Sequence, residues 1–181
     1  MLTLGVISDT HVPDRARCLE QRALDVFYSA KAAAILHAGD ISVRRVLEQL
    51  GELAPVHAVR GNRDWAALGK LPVKLDLEFG GVNIGLVHGH GRWNEYLIDR
   101  VEYLVRGYRL EMFQPRLAAS FPKARVIVFG HTHRPLNQWI DGVLLFNPGS
   151  PHFPDVKSIA PSVGLLHLGA GGDVVGELVE L

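Results

Sequence analysis

Histidine and carboxylate side chains recur directly after short apolar runs of this sequence. The run "LGVIS" is followed by Asp9 and His11, and the run "VIVFG" by His131 and His133, and the members of each pair are two positions apart. Polar residues also follow three other runs, within "HAGD", "RGNR" and "LVHGH". The candidate metal ligands in these segments are Asp9, His11, Asp40, Asn62, His88, His131 and His133. Imidazole together with carboxylate favours a borderline divalent ion such as manganese, iron, nickel or zinc.

The number of candidate ligands predicts two ions rather than one. Seven donors are too many for a tetrahedral ion, but they suit two five- or six-coordinate ions that share one carboxylate. Two ions roughly 3.5–4 Å apart can stabilise the attacking and leaving oxygens of an in-line displacement and lower the pKa of a bound water. Because Asp9 and Asp40 do not neutralise two divalent ions, the centre favours a hydroxide nucleophile and an anionic phosphoryl substrate.

Each candidate taken alone also has a structural explanation. Asp9 could cap a turn, and Asn62 could occupy a left-handed turn position. Independent caps give no reason for D-x-H, G-D, G-N, H-G-H and G-H-x-H to recur at successive strand ends, so the metal interpretation is favoured. Four other histidines receive no role, because a structural histidine explains each of them: His37, His57, His152 and His167.

The first half of the chain predicts a βαβαβ unit. Apolar residues at helical spacing between 19 and 30 indicate one helix, and a second is expected to begin at Ser42 as N-cap and to stop at Gly51. Nearly continuous apolar runs predict strands over 2–8, 32–39 and 55–62. Parallel strands with right-handed crossovers are expected, and their carboxyl ends form the crevice where ligands bind.

The second half predicts hairpins arranged as a meander. The paired strands are expected over 73–79 and 82–88, 136–140 and 143–147, and 162–168 and 174–181, with a further strand over 125–130 and a helix over 93–108. We predict one α/β domain over 1–181, with two mixed sheets packed face to face and helices outside.

The placement of the ligands in strands leads to two local expectations. Side chains two apart in extended backbone share a face, so each D-x-H and H-x-H pair is expected to offer both groups to one centre. Glycines beside the ligand candidates, such as Gly61 and Gly130, are expected to let the backbone turn sharply or approach closely.

Composition narrows the environment and the partners. The 19 basic and 19 acidic side chains cancel, so no overall field attracts nucleic acid or anionic lipid. Cys18 is the only cysteine, which excludes internal disulfides and suits a reducing cytoplasm. No apolar run reaches the roughly 18 residues that a membrane span needs. We expect a soluble cytoplasmic protein with a small-molecule phosphoester substrate and no membrane partner, and a homo-oligomer stays open.

The ordered set Asp9-x-His11, Gly39–Asp40, Gly61–Asn62, His88–Gly89 and Gly130–His131-x-His133 closely resembles the calcineurin-like metallophosphoesterase superfamily, in its small prokaryotic phosphodiesterase branch. The resemblance implies a four-layer αββα sandwich and a phosphodiesterase that uses a hydroxide bound to two metal ions, with manganese as the expected metal. It also implies that Asp9, His11 and His133 hold the first ion, that Asp40 bridges, and that Asn62, His88 and His131 complete the second site.

One position departs from the pattern that the resemblance implies. Many phosphatases of the superfamily have histidine after the motif asparagine, where it protonates the leaving group, but this chain has Arg63. Arginine stays charged and cannot act as a general acid, although it can bind phosphate in bidentate fashion. Asn62 and Arg63 are therefore expected to orient the phosphoryl oxygens, and His90 is the candidate substitute acid.

Two other functions share the same motifs. A retromer subunit has the fold but has lost part of the ligand set, so a metal-binding protein-interaction scaffold is one alternative. A manganese-dependent nuclease is the other, and the neutral net charge is evidence against it.

Overall fold

The computed structural model describes residues 1–91, 110, 114–152 and 159–181 of the chain. The helix predicted over 93–108 lies outside the described residues. The described strands and helices are β1 (Leu2–Ile7), α1 (Gln21–Ser29), β2 (Ala34–His37), α2 (Arg44–Gly51), β3 (Val56–Ala58), α3 (Trp65–Leu68), β4 (Lys74–Phe79), β5 (Val82–Val87), α4 (Gln114–Ser120), β6 (Val126–Val128), β7 (Leu136–Ile140), β8 (Val143–Asn147), β9 (Ser162–Leu168) and β10 (Val174–Glu180).

The first sheet contains the βαβαβ unit that the apolar runs predict. Its strand order is β10-β9-β1-β2-β3. The pairs β1–β2 and β2–β3 are parallel, whereas β9 runs antiparallel to both β1 and β10. The sheet is therefore mixed, and the carboxyl ends of its three parallel strands lie at one edge.

The second sheet corrects the expected meander. Its order is β4-β5-β6-β8-β7, so β8 lies between β6 and β7. The hairpins β4–β5 and β7–β8 are antiparallel as predicted, but β6 is parallel to both of its neighbours, β5 and β8. The prediction was wrong because β6 is buried along its whole length, so it pairs with parallel strands on both sides rather than at a hairpin.

Three apolar clusters separate four layers and confirm the αββα sandwich. Residues from both sheets, among them Leu36 and Phe146, meet in the central cluster. A second cluster packs α1 and α2, through Phe27 and Leu50, on the outer face of the first sheet. The third packs Leu117 of α4 on the second sheet. None of the described helices is long and apolar enough to cross a membrane.

The start of α2 differs from the sequence prediction. The N-cap residue is Val43, which makes no capping hydrogen bond through its side chain. Ser42 has a φ of 72°, and its hydroxyl donates to Asp14 instead. Ser42 is therefore not the cap, because its backbone N–H binds the carboxylate of Asp64 and fixes the residue in a turn. Gly51 is the last residue of α2, as predicted.

Candidate metal centre

The candidate ligands lie at the carboxyl ends of five parallel strands from both sheets. Asp9 and His11 follow β1, Asp40 follows β2, and Asn62 and Arg63 follow β3. His88 and His90 follow β5, and His131 and His133 follow β6. Because the sheets pack face to face, these segments meet at one end of the sandwich.

Three of the candidates form a first cluster. Nε2 of His11 lies 3.1 Å from Nε2 of His133, and Oδ1 of Asp9 lies 3.3 Å from the same His133 nitrogen and 3.8 Å from that of His11. Two nitrogen ligands at the usual bond length from one ion are about 3 Å apart. The three atoms are therefore spaced as ligands of a single ion would be.

A second cluster lies on the other side of Asp40. Nε2 of His88 is 3.1 Å from Oδ1 of Asn62 and 3.5 Å from Oδ1 of Asp40. The other oxygen of Asp40, Oδ2, is 3.8 Å from Nε2 of His11 in the first cluster. The Asp40 carboxylate thus has one oxygen directed to each cluster. The ring of His131 lies against that of His88, with 5.1 Å between their centroids.

The backbone at these residues corrects the expectation of extended pairs. Five of the candidate ligands have positive φ, between 48° and 69°: Asp9, His11, Asp40, His131 and His133. The D-x-H and H-x-H segments are therefore left-handed turns beyond the strands, not extended backbone. The H-x-H pair also divides, because His133 contacts His11 while His131 packs against His88.

Two glycines permit the close approach of chain segments in the site. A Cβ at Gly61 would overlap the backbone and carboxylate of Asp40, and a Cβ at Gly130 would overlap the hydroxyl of Ser8 and the carboxylate of Asp9. Both positions agree with the expectation for glycines beside ligand residues.

Hydrogen bonds aim the ligand atoms of the buried residues. Oδ2 of Asp9 accepts from the Ser8 hydroxyl at 2.5 Å and from the His131 backbone N–H at 3.0 Å. Nδ1 of His88 donates to the carbonyl of Ala38 at 2.7 Å, which leaves the lone pair of Nε2 directed into the site. Both residues are fully buried, so their orientations are fixed by the fold.

Burial keeps two of the candidate ligands, His11 and His131, in the neutral form that binds metal. Burial lowers the pKa of His11 to about 4 and that of His131 to about 3. Burial alone would raise the pKa of Asp9, but the nearby His133 and His88 imidazoles and the Ser8 hydroxyl outweigh it and hold the pKa well below its usual range. Burial raises the pKa of Asp40. Neutral imidazoles and a carboxylate at pH 7 are metal-binding forms.

Asp64 is a buried carboxylate of the site that the sequence analysis did not assign. Its Oδ1 accepts the backbone N–H groups of Ile41 and Ser42, both at 2.8 Å, and its Oδ2 accepts that of Gly61 at 2.6 Å. The carboxylate thereby joins the loop of Asp40 to the loop of Asn62. An acidic residue two positions after Asn62 was the only signal in the sequence.

Two residues of the segment "NPGS", which follows β8, hold ligand loops after strands of both sheets. The hydroxyl of Ser150 donates to the carbonyl of Asp9 at 2.8 Å, and the amide of Asn147 donates to the carbonyl of Gly130 at 2.9 Å. Both side chains are buried. The sequence places them after β8, but nothing in it indicates which carbonyls they bind.

Arg63 and His90 lie beside the two clusters. The Arg63 backbone N–H donates to Oδ1 of Asp40 at 2.9 Å, and its guanidinium, nearly half exposed, lies 3.5 Å from Asp14. The His90 ring centroid is 5.3 Å from that of His88. Burial, aided by the charges of His88, Arg116 and Arg60, lowers the pKa of His90 to about 4.

Two of the histidines without a predicted role, His37 and His167, make structural contacts. Nδ1 of His37 accepts the Gly39 N–H at 3.2 Å, so its Nε2 carries the proton and donates to Thr10 at 3.2 Å. His167 bonds Thr3 and Glu177 on the outer face of the first sheet.

The residues present fit a centre for divalent ions. Oδ1 of Asp9 is buried and receives no hydrogen bond from any described residue, although it faces two imidazole nitrogens. Asp9, His11 and His133 present ligand atoms within 4.8 Å of one another, and so do Asp9, Asp40 and His88. A buried carboxylate oxygen without a donor is costly unless a cation satisfies it.

Comparisons with known proteins agree with this geometry. Residues 2–171 match the model of the calcineurin-like phosphoesterase superfamily domain. A probable metallophosphoesterase of Methanothermobacter thermautotrophicus is 35% identical over 167 residues, which cover 92% of this chain and 86% of the relative. Wild-type Vps29 of Entamoeba histolytica, solved in complex with Zn²⁺, superposes with a TM-score of 0.73 at 25% identity and covers 99% of both chains. An archaeal phosphodiesterase shares the fold, with a TM-score of 0.67 at 20% identity over 98% of this chain and 100% of its own.

Proposed function

This chain belongs to the calcineurin-like phosphoesterase superfamily, and on that premise we propose that it is a phosphodiesterase that depends on two divalent metal ions. The position of Asp40 carries the proposal, because its two carboxylate oxygens face two separate clusters of nitrogen and oxygen donors. A single carboxylate between two ligand sets suits a pair of ions held close together.

We assign the ligands according to the two clusters. Asp9, His11 and His133 would hold the first ion, and Asn62, His88 and His131 the second, with Asp40 bridging them. The spacing of Asp9, His11 and His133 supports the first set, and the contacts of His88 with Asn62 and Asp40 support the second. His131 is assigned to the second set because its ring packs against His88.

The bound ions would supply Lewis acidity at phosphorus and lower the pKa of a coordinated water. The chain contributes orientation and charge. The bond from His88 to Ala38 holds the imidazole in one tautomer, and the bonds of Asp64 hold the Asp40 and Asn62 loops together. Asn62 and Arg63 orient the phosphoryl oxygens, and Arg63 is exposed enough to exchange its contact with Asp14 for a substrate oxygen.

We propose small phosphodiesters as substrates, and expect leaving groups that need little protonation to react best. Arg63 carries no proton that it can give, and the low pKa of His90 leaves its imidazole neutral at pH 7. His90 stays the candidate donor to the leaving group, through the minor protonated form that its low pKa leaves at pH 7. If it acts, the His90→Gln variant loses more activity on an alkyl ester than on a p-nitrophenyl ester.

Manganese is the proposed metal, with iron, nickel and zinc as alternatives. The donors are imidazole nitrogens and carboxylate or amide oxygens, and the single cysteine, Cys18, is exposed at the surface. A relative of this fold, Vps29 of Entamoeba histolytica, was solved with Zn²⁺. Elemental analysis of the purified protein tests the assignment.

The function is tested on bis(p-nitrophenyl) phosphate with added manganese, with chelator, and with the Asp40→Asn variant. Chelation and Asp40→Asn are each expected to lower activity at least about 100-fold, since both remove the bridged pair of ions. Asp141→Asn is the matched control, because Asp141 also has positive φ but lies at the β7–β8 turn. Activity that survives both chelation and Asp40→Asn would end the proposal.

Two alternatives are outcomes of the same assays. Inactivity with every metal favours a protein-interaction scaffold. The likeness to a vacuolar protein sorting-associated protein of Schizosaccharomyces pombe, 28% identical over 151 residues, supports this alternative. Cleavage of single-stranded DNA with manganese favours a nuclease.

A further inference from the structure

An exposed tryptophan lies beside the proposed substrate-binding loop. Trp65 is 55% exposed and begins α3, two residues after Arg63. Of the six large apolar side chains that are exposed among the described residues, Trp65 alone lies within three positions of a proposed metal ligand, Asn62. Its location, rather than its exposure, distinguishes it from the others.

The ring of Trp65 is held from one side. The guanidinium of Arg60 lies 4.5 Å from the ring centroid, and the same group donates to the carbonyl of Gly69 at 2.9 Å. The backbone N–H of Arg60 is bound to the carbonyl of Pro72 at 2.9 Å. Arg60 therefore supports the indole with a fixed group, while more than half of the side chain stays open to solvent.

The backbone of Trp65 lies close to the proposed metal ligand Asn62. Three Cα–Cα steps separate Trp65 from Asn62, so their Cα atoms are at most about 11 Å apart. Asn62 contacts His88, and the charge of Arg60 is near enough to act on His90. A group joined to the scissile phosphate by one sugar spans a gap of this size.

We propose that Trp65 stacks on the nucleobase of a nucleotide phosphodiester and so selects nucleotides as the substrate class, an inference that rests on the proposed phosphodiesterase function. Nucleobases are planar π-systems, and they stack on exposed aromatic side chains with little preference among bases. Arg60 and Arg63 add positive charge on either side of Asn62, which suits the anionic part of the same ligand.

A second arginine–tryptophan pair lies away from the proposed metal centre. Trp139 of β7 is 43% exposed, and the guanidinium of Arg125 lies 4.7 Å from its ring. Trp139 pairs with Leu144 of β8, and Leu144 pairs with Val126 at the amino end of β6. The Trp139 pair therefore lies at the other end of the second sheet from His131, and Trp139 serves as the matched control.

The test compares two ligands that differ only in the base. Adenosine 5′-monophosphate and ribose 5-phosphate are titrated calorimetrically into the manganese-loaded protein. The wild type is expected to bind adenosine monophosphate about 5- to 150-fold more tightly than ribose phosphate. Trp65→Ala is expected to abolish that ratio and to leave the affinity for ribose phosphate within about twofold, whereas Trp139→Ala keeps the wild-type ratio.

Two further variants distinguish a loss of stacking from a general effect on folding. Trp65→Phe retains a planar face and is expected to keep most of the preference for adenosine monophosphate, whereas Trp65→Leu retains apolar bulk without that face and is expected to lose it. A purely structural role for Trp65 would change both affinities together.

Equal affinities of the wild type for the two ligands, including failure to bind either, would overturn the inference. So would a preference that survives in Trp65→Ala or falls equally in Trp139→Ala. Assay of the same samples on bis(p-nitrophenyl) phosphate separates the two proposals, because base discrimination without hydrolysis contradicts the hydrolase and hydrolysis without base discrimination contradicts the role of Trp65.

Discussion

The two ends of the sandwich use left-handed backbone in different ways. At the end opposite the site, left-handed backbone occurs in the hairpin turns, at the exposed residues Gly80, Gly81, Asp141 and Gly142. Glycine and aspartate adopt this conformation readily. At the site end, aspartates and histidines adopt it, and four of these five, His131 apart, are buried. The first arrangement needs no support from neighbours. The second persists because Asp64 accepts hydrogen bonds from the backbone and Ser150 and Asn147 donate hydrogen bonds to it.

Glycine substitutions at the two ends give the largest contrast. Gly130→Ala is expected to lower the free energy of unfolding by about 3–5 kcal/mol, because its Cβ would overlap Ser8 and Asp9 and the backbone would have to move. Activity on the diester should fall with it. Gly80→Ala meets open space and is expected to cost about 1–2 kcal/mol from its positive φ alone, without loss of activity.

Chemical denaturation of the two variants checks this contrast. Equal destabilisation by Gly130→Ala and Gly80→Ala would contradict the cost assigned to the close approach of Gly130 to Ser8 and Asp9.

Replacement of one carboxylate oxygen of Asp64 by an amide nitrogen tests how the loops at the site are held together. Asp64→Asn is expected to lower the free energy of unfolding by about 2–4 kcal/mol, because an amide cannot accept the three backbone N–H groups that the carboxylate accepts. It should also weaken manganese binding, since the Asp40 and Asn62 loops separate. Asp173→Asn, at the exposed β9–β10 turn, is the control and should change neither quantity. Unchanged metal affinity in Asp64→Asn would show that the loops are held by other contacts.

The fold was largely predictable because its signals are local. Apolar runs and their spacing predicted the parallel strands and the hairpins, and the glycine turns located β4–β5 and β7–β8. The insertion of β8 between β6 and β7 was not predictable, because sequence order does not determine which buried strands become neighbours. Ser42 failed as an N-cap for a similar reason, since its partner Asp64 is distant in the sequence.

The residue types of the site were predictable, but its local conformation was not. The recurrence of histidine and aspartate after strands indicated which side chains would meet at the carboxyl ends. Left-handed backbone at Asp9 and His131 depends on hydrogen bonds from other segments, which no local pattern encodes. Asp64 was missed because a buried carboxylate that accepts backbone N–H groups has the same sequence signature as a turn residue.

The dependence of stability on acid pH tests whether the buried imidazole of His37 is neutral in the fold. Burial lowers the pKa of His37 from the usual 6.5 of a free histidine to about 4, because it disfavours the charged ring. The folded state therefore binds fewer protons than the unfolded state below pH 6.5, so the contribution of His37 to stability is present above that pH and is lost as the pH falls toward 4.

The expected size is about 2 kcal/mol of unfolding free energy lost between about pH 7.5 and about pH 5 for this one group. In metal-free protein, the unfolding free energy of His37→Gln should fall by about 2 kcal/mol less than that of the wild type over the same pH range. His167→Gln on β9 is the control. Parallel pH profiles of wild type and His37→Gln would contradict the neutral buried imidazole.

The smallest expected effect lies at the surface of the site end. Arg63→Ala is expected to raise KM for an aryl diester about 5- to 10-fold through loss of one charged contact to phosphate, and to change the free energy of unfolding by less than about 1 kcal/mol because its pair with Asp14 is exposed. Steady-state kinetics with denaturation checks both. Unchanged KM and kcat would remove Arg63 from substrate binding.

The central claim is that Asp40 lies between two ions. Anomalous diffraction from crystals grown with manganese tests it most directly. We expect two peaks, with one Asp40 oxygen directed to each. The first peak should lie among Asp9, His11 and His133, and the second among Asn62, His88 and His131. A single peak, or peaks away from Asp40, would contradict it.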